Sequence, residues 1–327
     1  MLDLYALGNA LVDTDVEVDD AFLSEQGLAK GLMTLVGTPQ MANLVTRLGD
    51  RPMRKASGGS AANTIFAAQA LGLSSSYVCK LADDHNGHHF YTEMTSAGIS
   101  TSPISEPATD DRRSGQCLVL VTPDAQRTMC TNLGVSSELD QDLVNVEEIQ
   151  SARCLYIEGY LAASELSSAT ASFSRQSANE AGTGVALTLS DVSMINFCRD
   201  GLNQILGNGV ETLFCNSDEA LAWANTDRLD VAIAELRDIA KELFVTLGAS
   251  GAQVINAEGA WHVQGESVKP LDTNGAGDIF AGACLAAKLQ GASSSDAAKF
   301  ANRAAAKVIT QFGARLPSVA DYQALKP

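Results

Sequence analysis

Apolar and polar positions change rhythm near residue 154. Before that point the chain reads as short strands and helices separated by turns. Leu4 to Asn9 is an apolar run ending in a turn, which predicts a buried first strand. Asp13, Asp15, Glu17, Asp19 and Asp20 then alternate with apolar residues, as on a strand with one wet face. A short strand follows at 32–36, a turn at Gly37-Thr38-Pro39 and a helix from Met41 to Leu48. Ser57-Gly58-Gly59-Ser60-Ala61-Ala62-Asn63 leads into an apolar helix, Thr64 to Leu71, stopped by Gly72. Tyr77 to Leu81 predicts a strand and Gly87 to Ala97 a helix. Cys117 to Thr122 and Arg127 to Thr131 predict a hairpin turning at Pro123-Asp124-Ala125.

From residue 154 the order is regular. Strands are expected at 154–158, 185–189, 212–215 and 243–247, with helices at roughly 164–181, 194–207 and 217–242. Strands alternating with helices imply an α/β fold whose mostly parallel sheet is covered on both faces. Ala252 to Asn256 looks like a returning strand. Two helices close the chain, one running from Asp278 to about Leu289 and an alanine-rich one from Asp296 to Gln311.

Composition narrows the class. The 327 residues, 46% hydrophobic and 19% charged, suit a globular protein with a large core. A net charge of −17 argues against nucleic acid as a partner, because phosphate backbones are bound by Lys and Arg. It leaves a small phosphate ligand open, since backbone amides suffice. Met1-Leu2-Asp3-Leu4 lacks the basic start of a signal peptide, and no apolar run reaches membrane-spanning length. Seven scattered cysteines without C-x-x-C point to the reducing cytoplasm. The sequence has no Gly-Lys dipeptide, hence no Walker A loop, and no G-x-G-x-x-G dinucleotide fingerprint.

The chemistry concentrates in Asp272-Thr273-Asn274-Gly275-Ala276-Gly277-Asp278, a loop entering a helix. The first amides of a helix lack internal partners and, with the helix dipole, attract anions. Asp278 beside them could take the proton of a hydroxyl that attacks a phosphoryl group held there. The plainer reading is a capped helix after a glycine turn. Asp13 likewise reads as a hydrogen-bond acceptor for substrate hydroxyls or as the start of an exposed strand face. Asn216-Ser217-Asp218-Glu219 follows a strand and makes a good helix cap. Thr246-Leu247-Gly248-Ala249-Ser250-Gly251 ends the next strand and reads by itself as a hairpin turn. In an open α/β sheet the carboxyl ends of the strands border one crevice, so these segments converge.

The seven residues 272–278 match the C-terminal signature of the ribokinase (PfkB) family of sugar and nucleoside kinases, and Gly58-Gly59-Ser60-Ala61-Ala62-Asn63 resembles its N-terminal signature. The resemblance spans nearly the whole chain. It implies a ribokinase-like three-layer doubly wound domain over 1–327, with a small antiparallel β lid formed by segments near 14–40 and 113–133. It implies an ATP-dependent kinase acting on a primary hydroxyl of a sugar or ribonucleoside. Asp13, Gly58, Gly59 and Asn63 would hold the acceptor. Thr246, Gly248, Gly251, Asn216 and Asn302 would face the nucleotide, with a solvent-facing Asn302 as the alternative. Asn216 and Glu219 would order Mg2+ through its waters. The amides of Gly275, Ala276 and Gly277 would take up charge, and Asp278 would accept the proton as a weak base, its carboxylate stabilised by the helix N-terminus. Asp272 resembles the residue beside a monovalent cation site, which leaves K+ activation open. Arg127 is either a phosphate neutraliser or an exposed hairpin arginine. Gly8-Asn9 to Asp13, and Ser60 where sugar kinases often carry Asn, lean toward the adenosine-kinase branch, with Phe66 as a candidate wall for a purine. A monomer and a homodimer are both compatible. The alternative function is a non-catalytic nucleotide- or sugar-binding regulator on the same fold.

Overall fold

A computed structural model describes residues 2–124 and 126–326. The strands in chain order are β1 Leu4–Leu7, β2 Leu11–Glu17, β3 Met33–Leu35, β4 Met53–Gly58, β5 Ser75–Val78, β6 Ser100–Thr101, β7 Gly115–Val121, β8 Arg127–Asn132, β9 Cys154–Glu158, β10 Gly184–Thr188, β11 Val210–Asn216, β12 Ala240–Thr246, β13 Ala252–Asn256 and β14 Gly259–Val263. The helices are α1 Asp20–Glu25, α2 Thr38–Leu48, α3 Ser60–Ala70, α4 His85–Ser96, α5 Val146–Ser151, α6 Glu165–Ala181, α7 Val192–Phe197, α8 Arg199–Leu206, α9 Ser217–Trp223, α10 Leu229–Leu236, α11 Ala276–Leu289, α12 Ser294–Val308 and α13 Val319–Gln323.

Nine strands form the main sheet in the order β14-β13-β12-β11-β10-β9-β1-β5-β6. All pairs from β12 to β6 are parallel, and β13 and β14 add an antiparallel edge. Successive side chains on a strand point to opposite faces, so a strand covered on both sides is apolar throughout. Strand β1 shows this directly. Leu4 and Ala6 enter the core with α3, α4, α11 and α12, whereas Tyr5 and Leu7 enter the core with α5 to α10. The result is three layers. Because α11 lies between α12, α3 and the sheet, it is buried from Ile279 to Ala286 and carries almost no polar face.

The second sheet has five strands, β3-β8-β7-β2-β4. The expected antiparallel lid is corrected here: β2 runs parallel to β7 and β3 parallel to β8, while β7–β8 and β2–β4 are antiparallel. Strand β4 lies outside the expected lid segments. One face of this sheet packs Val16, Leu118, Leu120 and Cys130 against Phe22, Met41, Leu44 and Leu48 of α1 and α2. The other face carries Leu11, Asp13, Cys117, Met129 and Thr131 and looks onto a cavity. The alternating acids of β2 therefore begin on the cavity side. The turn expected at Pro123-Asp124-Ala125 includes Ala125, which lies outside the described residues.

Two helix boundaries also differ from expectation. The 194–207 stretch breaks at Cys198 into α7 and α8. The 217–242 stretch is α9 and α10 followed by the start of β12; Asn225, at φ 46°, interrupts it. No helix of the described residues is long and apolar enough to cross a membrane.

Candidate active site

The cavity has a volume of about 340 Å³ and lies where the carboxyl ends of β1, β9, β10 and β11 meet the lid. Strand β1 sits where the order of the sheet reverses, the point at which open α/β sheets bind ligands. Asp13, Gly59, Asn63, Asn216, Glu219, Gly275, Ala276, Gly277 and Asp278 all line it.

Asp278 occupies the first turn of α11. Ser60 Oγ donates to its Oδ1 at 2.6 Å and Asn63 Nδ2 to its Oδ2 at 2.9 Å. Both donors come from the start of α3, so α3 and α11 together fix the carboxylate. Gly275 caps α11 in the left-handed region, at φ 73°, and a Cβ there would overlap Ala314. Around Gly277 there is open space. The N–H groups of Gly275, Gly277 and Asp278 have no partner among the described residues, whereas that of Ala276 donates to Thr273 O at 3.3 Å. Two of the three expected anion-binding amides are thus free, and the third is engaged in a long turn bond.

Burial raises the Asp278 carboxyl to a pKa of about 6, against the pull of its bonds from Ser60 and Asn63 and of the Arg315 charge. Burial thus acts against the stabilisation of the carboxylate expected from the helix N-terminus. Four further carboxyls line the cavity, those of Asp13, Glu158, Asp191 and Glu219. Asp13 is raised to about 7 by burial and by Asp15. Glu158 is raised to about 7 by burial, although it accepts N–H bonds from Asn9 at 2.6 Å and Ala61 at 2.7 Å. Glu219 is raised to about 7, again chiefly by burial. Glu158 escaped the sequence reading. It ends the predicted strand 154–158, so the rule that singled out Asn216 at a strand's carboxyl end would have found it.

Gly58 and Gly59 serve two different approaches. A Cβ on Gly58 would overlap the Asp13 carboxylate, and one on Gly59, at φ 99°, would overlap Asn9 O. Asn216 and Glu219 form a capping box: Asn216 Oδ1 accepts from Glu219 N at 2.8 Å and Glu219 Oε2 from Asn216 N at 3.2 Å. Asn216 Nδ2 also reaches Glu219 Oε1 at 2.6 Å. With both oxygens engaged by its own helix start, Glu219 suits an outer contact to hydrated Mg2+ better than direct ligation. Among the described residues no three His, Cys, Asp or Glu side chains cluster as metal ligands.

The remaining expected residues lie off the cavity wall. Thr246 pairs in register with Asn216 at its edge. Gly248 stands exposed in the turn beyond, and Gly251, at φ 93°, packs against the backbone of Val263 to Gly265. Asn302 is buried and donates to Val263 O and Gln264 O, each at 3.1 Å, so the solvent-facing alternative does not hold. Phe66 is not a cavity wall; it lies under the Arg315 guanidinium, 4.7 Å from its ring centre. Asp272 is buried with its carboxylate 2.6 Å from Arg127 Nη2, and it accepts from Asn274 N and Gly313 N. Arg127 is largely covered, not an exposed hairpin arginine, and also approaches Asp15 at 3.6 Å. A guanidinium therefore already neutralises the residue expected beside K+.

A model of the pfkB family carbohydrate kinases matches residues 46–321. The crystal structure of adenosine kinase from Sinorhizobium meliloti is 31% identical, covers 99% of both chains and superposes with a TM-score of 0.90. An adenosine kinase of Saccharomyces cerevisiae is 26% identical over 96% of this chain and 97% of its own. A probable fructokinase-5 of Arabidopsis thaliana is 28% identical over 83% of this chain and 88% of its own.

Proposed function

Because this chain belongs to the pfkB family of carbohydrate kinases, we propose a specific division of labour for its phosphotransfer. The protein is an ATP-dependent kinase of a sugar or nucleoside hydroxyl. One observation carries the assignment of roles: the Asp278 carboxylate, held by Ser60 and Asn63, stands in the same helix turn as the free N–H groups of Gly275 and Gly277. Each carboxylate oxygen accepts one internal bond and keeps a lone pair for an acceptor hydroxyl. The N–H groups stabilise charge on the transferred phosphoryl group, and Asp278 takes the hydroxyl proton. In a loose transition state the proton leaves late, so positioning contributes as much as basicity. Asp13 and Asn63 orient the acceptor. Thr246, Gly248 and Gly251 border the nucleotide. Asn216 and Glu219 would hold Mg2+ through its waters, and the ion would supply neutralisation of phosphate charge.

The acceptor we favour is a nucleoside. Met33, Leu35, Met129, Leu11 and Leu133 from the lid side, with Met194 of α7, give the cavity apolar lining beside its polar residues. A free sugar carries hydroxyls on all sides and would leave them unpaired there. A base attached to the sugar would bury its face on that lining.

The test is ATP consumption with adenosine, inosine, ribose and fructose as acceptors. Turnover is expected with a nucleoside. The Asp278→Asn variant should lose about 10²–10⁴-fold in kcat while binding ATP nearly as well. Near-full turnover in that variant would refute the role of Asp278, and a ribose or fructose preference would refute the nucleoside reading.

A further inference from the structure

The segment following α12 packs against both sides of the reacting assembly. Gly313 N donates to Asp272 Oδ2 at 2.7 Å, and Ala314 closes on Gly275. Arg315 passes beneath α3. Its side chain is 9% exposed. Nε donates to Asn63 Oδ1 at 2.7 Å, Nη1 to Glu93 Oε1 at 3.1 Å, and the guanidinium lies over Phe66. Nη2 has no partner among the described residues. Because Asn63 Oδ1 receives Arg315, its NH2 must face the other way, and there it meets Asp278. The chain of contacts runs Arg315 to Asn63 to Asp278.

We infer that Arg315 is a positioning residue for phosphotransfer, fixing the orientation of the Asn63 amide and holding the Asp278 carboxylate in its ionised form from below. The inference rests on the reading of Asp278 as proton acceptor. An amide has two orientations of similar shape, and only one offers Asp278 a donor. The reverse one would set Asn63 Oδ1 against the carboxylate. A buried arginine stays charged, so its field on Asp278 is constant across the working pH range.

The groups around Asp278 pull in opposite directions. Arg315 lowers its proton affinity, as do the bonds from Ser60 and Asn63. The acids coupled to it are Asp13 on β2, Glu158 on β9 and Glu219 on α9. Tyr77, Tyr156, Tyr160 and Tyr322 also feel its charge, but burial pushes each phenol up and keeps it neutral. Glu93 offsets part of the Arg315 charge from the other side.

The experiment compares full-length wild type, Arg315→Met and Arg315→Lys in kcat against pH, with Mg-ATP and adenosine, or with ribose if the acceptor screen returns it. Wild type should lose activity as pH falls through about 6. In Arg315→Met that acid limb should move up by about one pH unit, so that kcat, lowered about tenfold at pH 8.5 by loss of the fork to Asn63, falls a further threefold or so relative to wild type at pH 6.5. An unmoved limb, or an equal loss at every pH, would overturn the inference. Should the Met variant fail to fold, Arg315→Lys decides. It keeps the charge but not the fork that serves Asn63 and Glu93 together, so its limb should stay in place while kcat falls about tenfold. Wild-type kcat in the Lys variant would overturn the inference. An active Asp278→Asn variant refutes the underlying mechanism; an inactive one with an unmoved Arg315→Met limb refutes only the role of Arg315.

Discussion

Asp278 must be ionised to accept a proton, and burial has raised it to a pKa of about 6. Protonation below that value removes the acceptor, so kcat should fall about tenfold per pH unit below 6 and level off above 7. A kcat profile flat down to pH 5 would show that Asp278 does not titrate in the rate-determining step. Gly58 makes a second prediction at this scale. It lies buried beside the Asp13 side chain, where a methyl group would overlap the carboxylate. Gly58→Ala should displace Asp13 and raise the KM of the acceptor by about tenfold or more, with little change in the KM of ATP. Equal changes in both constants would separate Asp13 from acceptor binding. These residues were legible because glycines and carboxyls stood together at predicted helix starts and strand ends. Arg315 was not, because a sequence gives no sign that an arginine near the C-terminus is drawn under α3.

Elements formed where the apolar periodicity was strong. The strand at 154–158 matches β9 residue for residue, and the helix at 164–181 differs from α6 by one residue at its start. Strand β4 was missed because Met53-Arg54-Lys55-Ala56-Ser57-Gly58 has neither an apolar alternation nor a buried first half; it is an edge strand with exposed Arg54 and Lys55. The direction of strand pairing in the lid was equally hidden, since a period of two is the same in parallel and antiparallel sheets. The lid is tied to the loop before α11 by the Arg127–Asp272 pair, whose carboxylate is only 2% exposed. Removing one partner of a buried pair leaves the other uncompensated. Arg127→Met should therefore destabilise the fold by about 3–5 kcal/mol and loosen the loop at Gly275. Since the guanidinium already neutralises Asp272, replacing K+ by choline at constant ionic strength should leave wild-type kcat within about twofold. A large K+ activation of the wild type would mean that a cation competes for Asp272.

At the scale of the molecule, the site concentrates charge in a chain already at −17. Asp13, Glu158 and Glu219 are raised to about 7 and Asp278 to about 6, against ordinary values near 4 in the unfolded chain. Between about pH 4 and pH 7 the folded protein therefore binds more protons than the unfolded chain. Its stability then falls as pH rises through this window and levels off above it. Salt-bridged carboxylates such as Asp124, held low by Lys30, act in the opposite sense but at lower pH. The free enzyme should thus melt a few degrees higher at pH 6 than at pH 8, the reverse of a protein whose acids are all paired. Thermal unfolding of wild type across pH 5–8 measures this directly, and Glu158→Gln provides the control. Glutamine removes one titrating carboxyl but keeps an oxygen for one of the two N–H donors, Asn9 or Ala61. It should flatten the pH dependence while lowering the melting temperature at pH 6, where the carboxyl makes both bonds. A wild-type melting temperature that rises from pH 6 to pH 8 would show that these acids ionise without penalty, and the desolvated cavity described for them would have to be wetter than its packing indicates.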